Sequence, residues 1–166
     1  MINGITYMGW FHTIVGTPAI LAGLYLLISD RFIYLDKSLA KFYLVTTVIT
    51  SLSSLFIFKV TGAFNMAHLT SVIIILAALF AYILHKKSIF GFLDIYLKQL
   101  TLTGTIFFSM LPTTLEVLKR VPPSNPLASS IEDPLVLNFY ISYIVIFGVF
   151  AFYQMFKISK GEIDEI

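Results

Sequence analysis

Cysteine is missing from this sequence, and charged side chains are scarce. Only 12% of its 166 residues are charged, whereas soluble globular proteins carry roughly a quarter. The absence of cysteine excludes disulfides, thiolate metal sites and cysteine nucleophiles. The low charge excludes an ordinary water-soluble domain, and a net charge of +2 is too small for a nucleic-acid-binding face. Glycine-rich phosphate loops, G-x-S-x-G and H-E-x-x-H are also missing, so the common enzyme signatures are not found.

Long apolar runs are what the sequence has in abundance, with 58% hydrophobic residues and a mean hydropathy of +0.90. Each run approaches the roughly 20 residues that cross a bilayer as a helix. A helix satisfies its own backbone groups in lipid, and the alternating pattern of a membrane barrel is not present. The sequence therefore predicts an all-α, polytopic integral membrane bundle. We expect this bundle to be a single transmembrane domain over residues 1–166, with five spans at about 7–28, 39–60, 64–84, 97–118 and 135–156.

Residues 88–96 are apolar except for one aspartate, and we expect them to lie along the membrane interface before the fourth span. A competing prediction has four spans, with the fourth apolar run lying flat. Nothing basic precedes Arg31, so the first run is interpreted as a retained membrane helix and not as a signal peptide.

Lysine and arginine are unevenly distributed between the two predicted sides of the membrane. With five spans, one side collects eight basic residues and the other three. The positive-inside rule then places the N-terminus outside and the C-terminus in the cytoplasm, and we expect a bacterial inner (cytoplasmic) membrane. The eight are Arg31, Lys37, Lys41, Lys86, Lys87, Lys98, Lys157 and Lys160, and the three are Lys59, Lys119 and Arg120.

Two histidines fall at the same predicted depth in two parallel spans. At 1.5 Å per residue, His12 and His68 lie roughly 8–9 Å outside the bilayer midplane. Polar groups at membrane depth are costly and are therefore functional candidates. Glu116 lies at the outer end of the fourth span, and Arg120 follows in the outer loop. These positions predict a ligand or cofactor site shared by several helices in the outer leaflet.

A b-type haem is the first predicted occupant of this site. Axial ligation requires two facing imidazoles, and Arg120 or Lys119 would bind the propionates. Gly9 and Gly16 flank His12 and would let a flat macrocycle approach the helix. The protein would then be an electron carrier or a redox subunit.

A metal ion is the second predicted occupant. Two imidazoles and a carboxylate form a known zinc ligand set, so His12, His68 and Glu116 also predict a metal-dependent membrane hydrolase. A copper site is a further alternative, because three methionines fall near this level, namely Met8, Met66 and Met110.

A structural interpretation of the histidines needs no cofactor. A histidine in a membrane helix commonly bonds to a neighbouring helix. The protein would then be a non-catalytic accessory or assembly subunit, with another membrane protein or a second copy as its partner. Ala19 and Gly23 predict a small-residue contact face, and His85 is expected to be solvated at the inner interface.

Three short stretches in the N-terminal half carry a family resemblance. They are Trp10-Phe11-His12 followed by Gly16, Ala19 and Gly23, then Lys37-Ser38-Leu39-Ala40-Lys41-Phe42-Tyr43, and Gly62-Ala63-Phe64-Asn65-Met66-Ala67-His68. This half resembles a family of small bacterial predicted membrane proteins of unknown function, which implies a polytopic membrane protein and no particular activity. Family members carry a His-Arg pair in the first inner loop, where this chain has Asp36-Lys37. At the level of fold alone, the chain more distantly resembles the helical cores of b-type cytochromes.

Overall fold

The computed structural model describes residues 5–58 and 62–163, and five α-helices make up most of that part. Lys59, from the predicted outer group, and the predicted end of the second span lie outside the described residues. In chain order the helices are α1 (Tyr7–Ser29), α2 (Ser38–Ser54), α3 (Met66–Lys86), α4 (Leu93–Leu118) and α5 (Pro134–Ser159). The all-helical prediction is thus confirmed for these residues. By length and composition, α1, α3, α4 and α5 can each cross a membrane, which indicates a multi-pass membrane protein in contact with lipid.

The second helix is shorter than the predicted span of residues 39–60. Ser53 Oγ donates to Thr50 O at 2.7 Å, and Ser54 Oγ donates to Ser51 O at 2.9 Å. Serine hydroxyls that bond back to nearby carbonyls compete with regular helix, and α2 ends at Ser54. Its 17 residues rise about 25 Å, less than the roughly 30 Å of a bilayer core. For that reason α2 is not among the four helices long enough to span.

The fourth helix begins earlier than predicted, at Leu93. Asp94 in its first turn accepts hydrogen bonds from Ser88 Oγ at 2.8 Å and from the backbone N–H groups of Ile89 and Phe90, both at 3.0 Å. An acidic side chain is also favourable at a helix N-terminus. The segment expected along the interface is therefore a tight turn followed by the first turn of α4.

The first four helices form a ring, and the fifth lies at its edge. Each of α1 to α4 packs against the next, α4 also packs against α1, and α5 packs against α4. The pairs α1/α3 and α2/α4 are therefore the two diagonals of the ring. Tyr43 on α2 is buried and crosses its diagonal, so that its hydroxyl lies 2.5 Å from Thr105 Oγ1 on α4.

Small residues let α1 approach the core. Ala19 and Gly23 are buried, and a Cβ added to Gly23 would lie 2.7 Å from Tyr43 Cε2 and 3.0 Å from the Ile106 side chain. The predicted small-residue contact face is confirmed, and only glycine fits at position 23 without a shift of its neighbours.

Candidate functional site

His12 turns its ring toward α2 at the predicted outer end of the bundle. Its Nδ1 lies 3.0 Å from Thr50 O and 3.1 Å from Ser53 Oγ. A carbonyl oxygen only accepts, so Nδ1 carries the proton and Nε2 keeps the lone pair. The predicted macrocycle slot is not seen here. A Cβ on Gly16 would lie 2.8 Å from Thr50 Cγ2, and a Cβ on Gly9 would lie 2.8 Å from Ile5 Cγ2, just before α1.

His68 has the opposite arrangement of its two ring nitrogens. It lies in the first turn of α3, where its Nδ1 accepts a hydrogen bond from the backbone N–H of Asn65 at 3.2 Å, as half of a capping box. Its ring stacks between Phe58 and Phe64 at centroid distances of 4.7 and 5.2 Å. Because Nδ1 accepts, the proton of the neutral ring lies on Nε2. That nitrogen is enclosed, and none of the described residues forms a hydrogen bond with it.

The two histidines lie on diagonal helices, and among the described residues the backbones of α1 and α3 stay more than 8 Å apart, measured between Cα atoms. A haem held by both rings needs an Nε2 lone pair from each one. His12 has that tautomer. His68 would have to lose its bond from Asn65 N–H, and the flanking rings would have to open around its Nε2. The arrangement as it stands does not fit a haem between the two rings, and haem binding stays a prediction.

The two charged residues predicted for the site bond to each other. Arg120 Nε and Nη2 both donate to Glu116 Oε2, at 2.8 and 2.5 Å. This guanidinium is therefore paired with a carboxylate four residues earlier in the chain. Glu116 also interacts electrostatically with His12, consistent with the packing of α1 on α4. Among the described residues, no group of three His, Asp or Glu could hold a metal ion. Glu116 is therefore close enough to His12 for an electrostatic interaction, but the predicted three ligands, which include His68, do not come together.

Two buried glutamines, which the sequence analysis does not single out, hold the loop between α1 and α2. Gln99 Oε1 accepts from Ile33 N–H, and its Nε2 donates to Ile33 O, both at 3.0 Å. Gln154 Nε2 donates to Arg31 O at 2.8 Å, and its Oε1 accepts from Thr103 Oγ1 at 2.9 Å. Both glutamines are 0% exposed. A glutamine within an apolar run is the sequence signal that points to such a role.

The other end of the bundle buries ionisable groups. The His85 side chain is only 7% exposed, and its Nε2 lies 3.6 Å from Asp36 Oδ1. Lys98 is also buried and interacts electrostatically with Asp36. The expectation that His85 is solvated is wrong, because the last turn of α3 packs against the α1–α2 loop and the start of α4. The basic residues predicted for the inner side thus gather at one end of the bundle.

An ion pair closes the α1–α2 loop. Lys37 Nζ lies 2.7 Å from Asp30 Oδ2. This hydrogen bond holds the pKa of the Asp30 carboxyl below its usual range and raises the pKa of the Lys37 ammonium. The contribution of Asp30 to stability is therefore present above the ordinary carboxyl pKa, and it is lost as the pH falls through the lowered value.

No protein-family model, no curated protein and no solved structure matches this chain. The resemblance of the N-terminal half to small bacterial membrane proteins therefore stays a prediction. What bears on function is the geometry of the bundle.

Proposed function

We propose that this protein is a non-catalytic accessory or assembly subunit of the membrane, whose buried polar side chains join its helices to one another. Lipid tails provide no hydrophobic force that brings apolar helices together, so packing and hydrogen bonds between helices do so. The observation that carries the proposal is the contact of His12 with Thr50 and Ser53, which joins α1 to α2. Similar bonds join the other helices, namely Ser54–Ser71, Tyr43–Thr105, Thr103–Gln154 and Thr114–Tyr143.

The proposal includes five crossing helices, an outer N-terminus and a C-terminus in the cytoplasm of a bacterial cell. The gathering of basic residues at one end of the bundle supports this orientation through the positive-inside rule. The short α2 packs against α1 and α3, which supports its crossing as part of the ring.

Single introduced cysteines test this topology on a chain that has none of its own. With five spans, Ala63→Cys and Ser124→Cys are expected to react with a membrane-impermeant maleimide on intact cells. Lys87→Cys is expected to react only after permeabilisation. All three positions are exposed. The exposed Lys37 lies just before α2 and Ala63 lies after it, so labelling of both Lys37→Cys and Ala63→Cys in intact cells would contradict the crossing of α2.

The contact of His12 with α2 gives a prediction about stability. We expect His12→Ala to lower the free energy of unfolding in detergent by about 0.5–2 kcal/mol, the range for hydrogen bonds between membrane helices. Thr13→Ala is the matched control, because Thr13 Oγ1 bonds to Gly9 O within α1 and to no other described residue. A double-mutant cycle with Ser53→Ala should show that the two side chains are coupled.

Bound haem or metal would contradict this proposal. The absorption spectrum and the metal content of the purified protein test for both. A Soret band that disappears in a folded His12→Ala variant would establish haem binding and overturn the structural role. Stoichiometric zinc or copper lost in the same variant would do so for a metal. Purification with a stable second protein or as a homo-oligomer is the result expected of an accessory subunit.

A second candidate function is a ligand site at His12 that uses one imidazole. Its Nδ1–H is directed at a backbone carbonyl, as in many metal-ligating histidines, which leaves the Nε2 lone pair for a ligand. The Glu116 carboxylate interacts with the same ring. The predicted hydrolase would hold zinc with this pair and with His68, so a zinc site at His12 and Glu116 would lack one of the three predicted ligands. Zinc binding that is lost in His12→Asn and Glu116→Gln but retained in His68→Gln would identify this site.

A further inference from the structure

An apolar groove opens between α1 and α5, with α4 as its floor. It exists because α5 packs against α4, whereas the described parts of α1 and α5 do not pack against each other. The groove encloses about 380 Å³. Each of the three helices contributes apolar side chains to its lining, among them Leu27, Ile28, Ile106, Phe107, Ile146 and Phe150. A gap of this kind between membrane helices is accessible to a lipid acyl chain.

Arg31 lies at one end of this groove. It also lines an adjoining groove of about 480 Å³ that continues along α5 past Val149 and Tyr153. Arg31 is exposed and directly follows the C-cap of α1, which places it at the level of the headgroups. Within the described residues no carboxylate lies within ion-pairing distance of its guanidinium. The groove thus has an apolar body and an uncompensated cation at its mouth.

The backbone at Arg31 is held in one conformation. Its φ of +62° is in the left-handed region, which side chains other than glycine rarely adopt. Gln154 binds the Arg31 carbonyl, and Gln99 binds both backbone groups of Ile33. These bonds fix the start of the arginine side chain beside the groove. Lys157 interacts electrostatically with Arg31, but it is paired with Glu162, so Arg31 carries the uncompensated positive charge at this point.

We infer that this groove binds one acyl chain of an anionic phospholipid whose phosphate contacts Arg31. The apolar lining matches the chain. The guanidinium matches the phosphate, to which arginine donates two parallel hydrogen bonds. The excess of positive charge at the mouth favours a net negative headgroup over a zwitterionic one. This inference requires the protein to lie in a membrane, but it does not depend on the proposed accessory role.

Binding of two lipids with identical acyl chains tests the inference. The intact protein in neutral detergent is titrated with phosphatidylglycerol or phosphatidylcholine, and bound lipid is counted by native mass spectrometry. We expect the protein to bind phosphatidylglycerol about fivefold more tightly, and Arg31→Gln to remove that preference. Lys87→Gln, which removes another basic residue at the same end, is the matched control and should retain it.

Variants of the groove lining distinguish binding of the acyl chain from binding of the headgroup. Ile146→Trp fills the groove and should weaken the binding of both lipids, whereas Ile144→Trp should not, because Ile144 is equally exposed on α5 but does not line the groove. Arg31→Gly suits the left-handed backbone, so it should fold normally and still lose the preference. Equal binding of the two lipids by the parent protein, or a preference that survives in both Arg31 variants, would overturn the inference.

Discussion

Replacement of Gln99 by leucine is expected to lower the free energy of unfolding by about 2–5 kcal/mol. Leucine fits the same apolar surroundings but cannot bond to the backbone of Ile33. The N–H and C=O groups of Ile33, a residue that is 0% exposed, would both lose their partner. An unpaired buried polar group costs about 1–3 kcal/mol.

Chemical unfolding in detergent, followed by circular dichroism, measures this effect. Thr101→Val is the matched control on the same helix, because the partner of Thr101 Oγ1 within the described part of the chain is Leu97 O of α4. Its effect should stay within about 0.5 kcal/mol. A Gln99→Leu variant as stable as the parent would show that the amide does not hold the α1–α2 loop.

Replacement of Gly23 by alanine is expected to destabilise the bundle by about 1–3 kcal/mol, as overpacking of a core does. The added methyl would lie 2.7 Å from Tyr43 Cε2 and 3.0 Å from Ile106. The Tyr43 ring cannot move aside easily, because it is buried and its hydroxyl is hydrogen-bonded to Thr105. The helices α1 and α2 would have to separate.

Gly148→Ala is the matched control for that variant, and its effect on stability should have the opposite sign. Gly148 is also within a membrane helix, but an added Cβ there would lie more than 4 Å from every neighbouring side chain of the described residues. Alanine should therefore stabilise α5 by about 0.5–1 kcal/mol, since glycine is the poorer helix former. Thermal unfolding of both variants under the same conditions gives the comparison. A loss of stability of similar size in both would argue against the close approach at Gly23.

The two large losses of stability, expected for Gln99→Leu and Gly23→Ala, concern the same half of the bundle. The side chains of Tyr43, Gln99 and Gln154 are buried there, and each forms hydrogen bonds. A buried network in which every member is satisfied specifies one arrangement of the helices. This half of the protein also fixes the backbone of Arg31, so the stability of the loop and the proposed lipid site have a common structural basis.

The site predicted for the outer leaflet shows how much the sequence can predict about the two histidines. Equal depth of His12 and His68 can be estimated from helical rise alone. The sequence does not show which nitrogen of each ring carries the proton, because that depends on the hydrogen-bond partner of the ring. Thr50 O fixes the proton of His12 on Nδ1, whereas Asn65 N–H fixes that of His68 on Nε2. The His12 ring thereby keeps its lone pair on Nε2, whereas the His68 ring uses the lone pair of Nδ1 to cap its own helix.

By itself, the sequence determines the environment and the elements of this protein. Apolar runs of membrane length must form helices, because lipid offers no partner for an open backbone. The tertiary structure alone decides which polar groups meet. Gln99 and Ile33 are 66 positions apart, and Gln154 and Arg31 are 123 positions apart. Contacts over such separations depend on how the helices are arranged in the ring, and no periodicity along one helix encodes that arrangement.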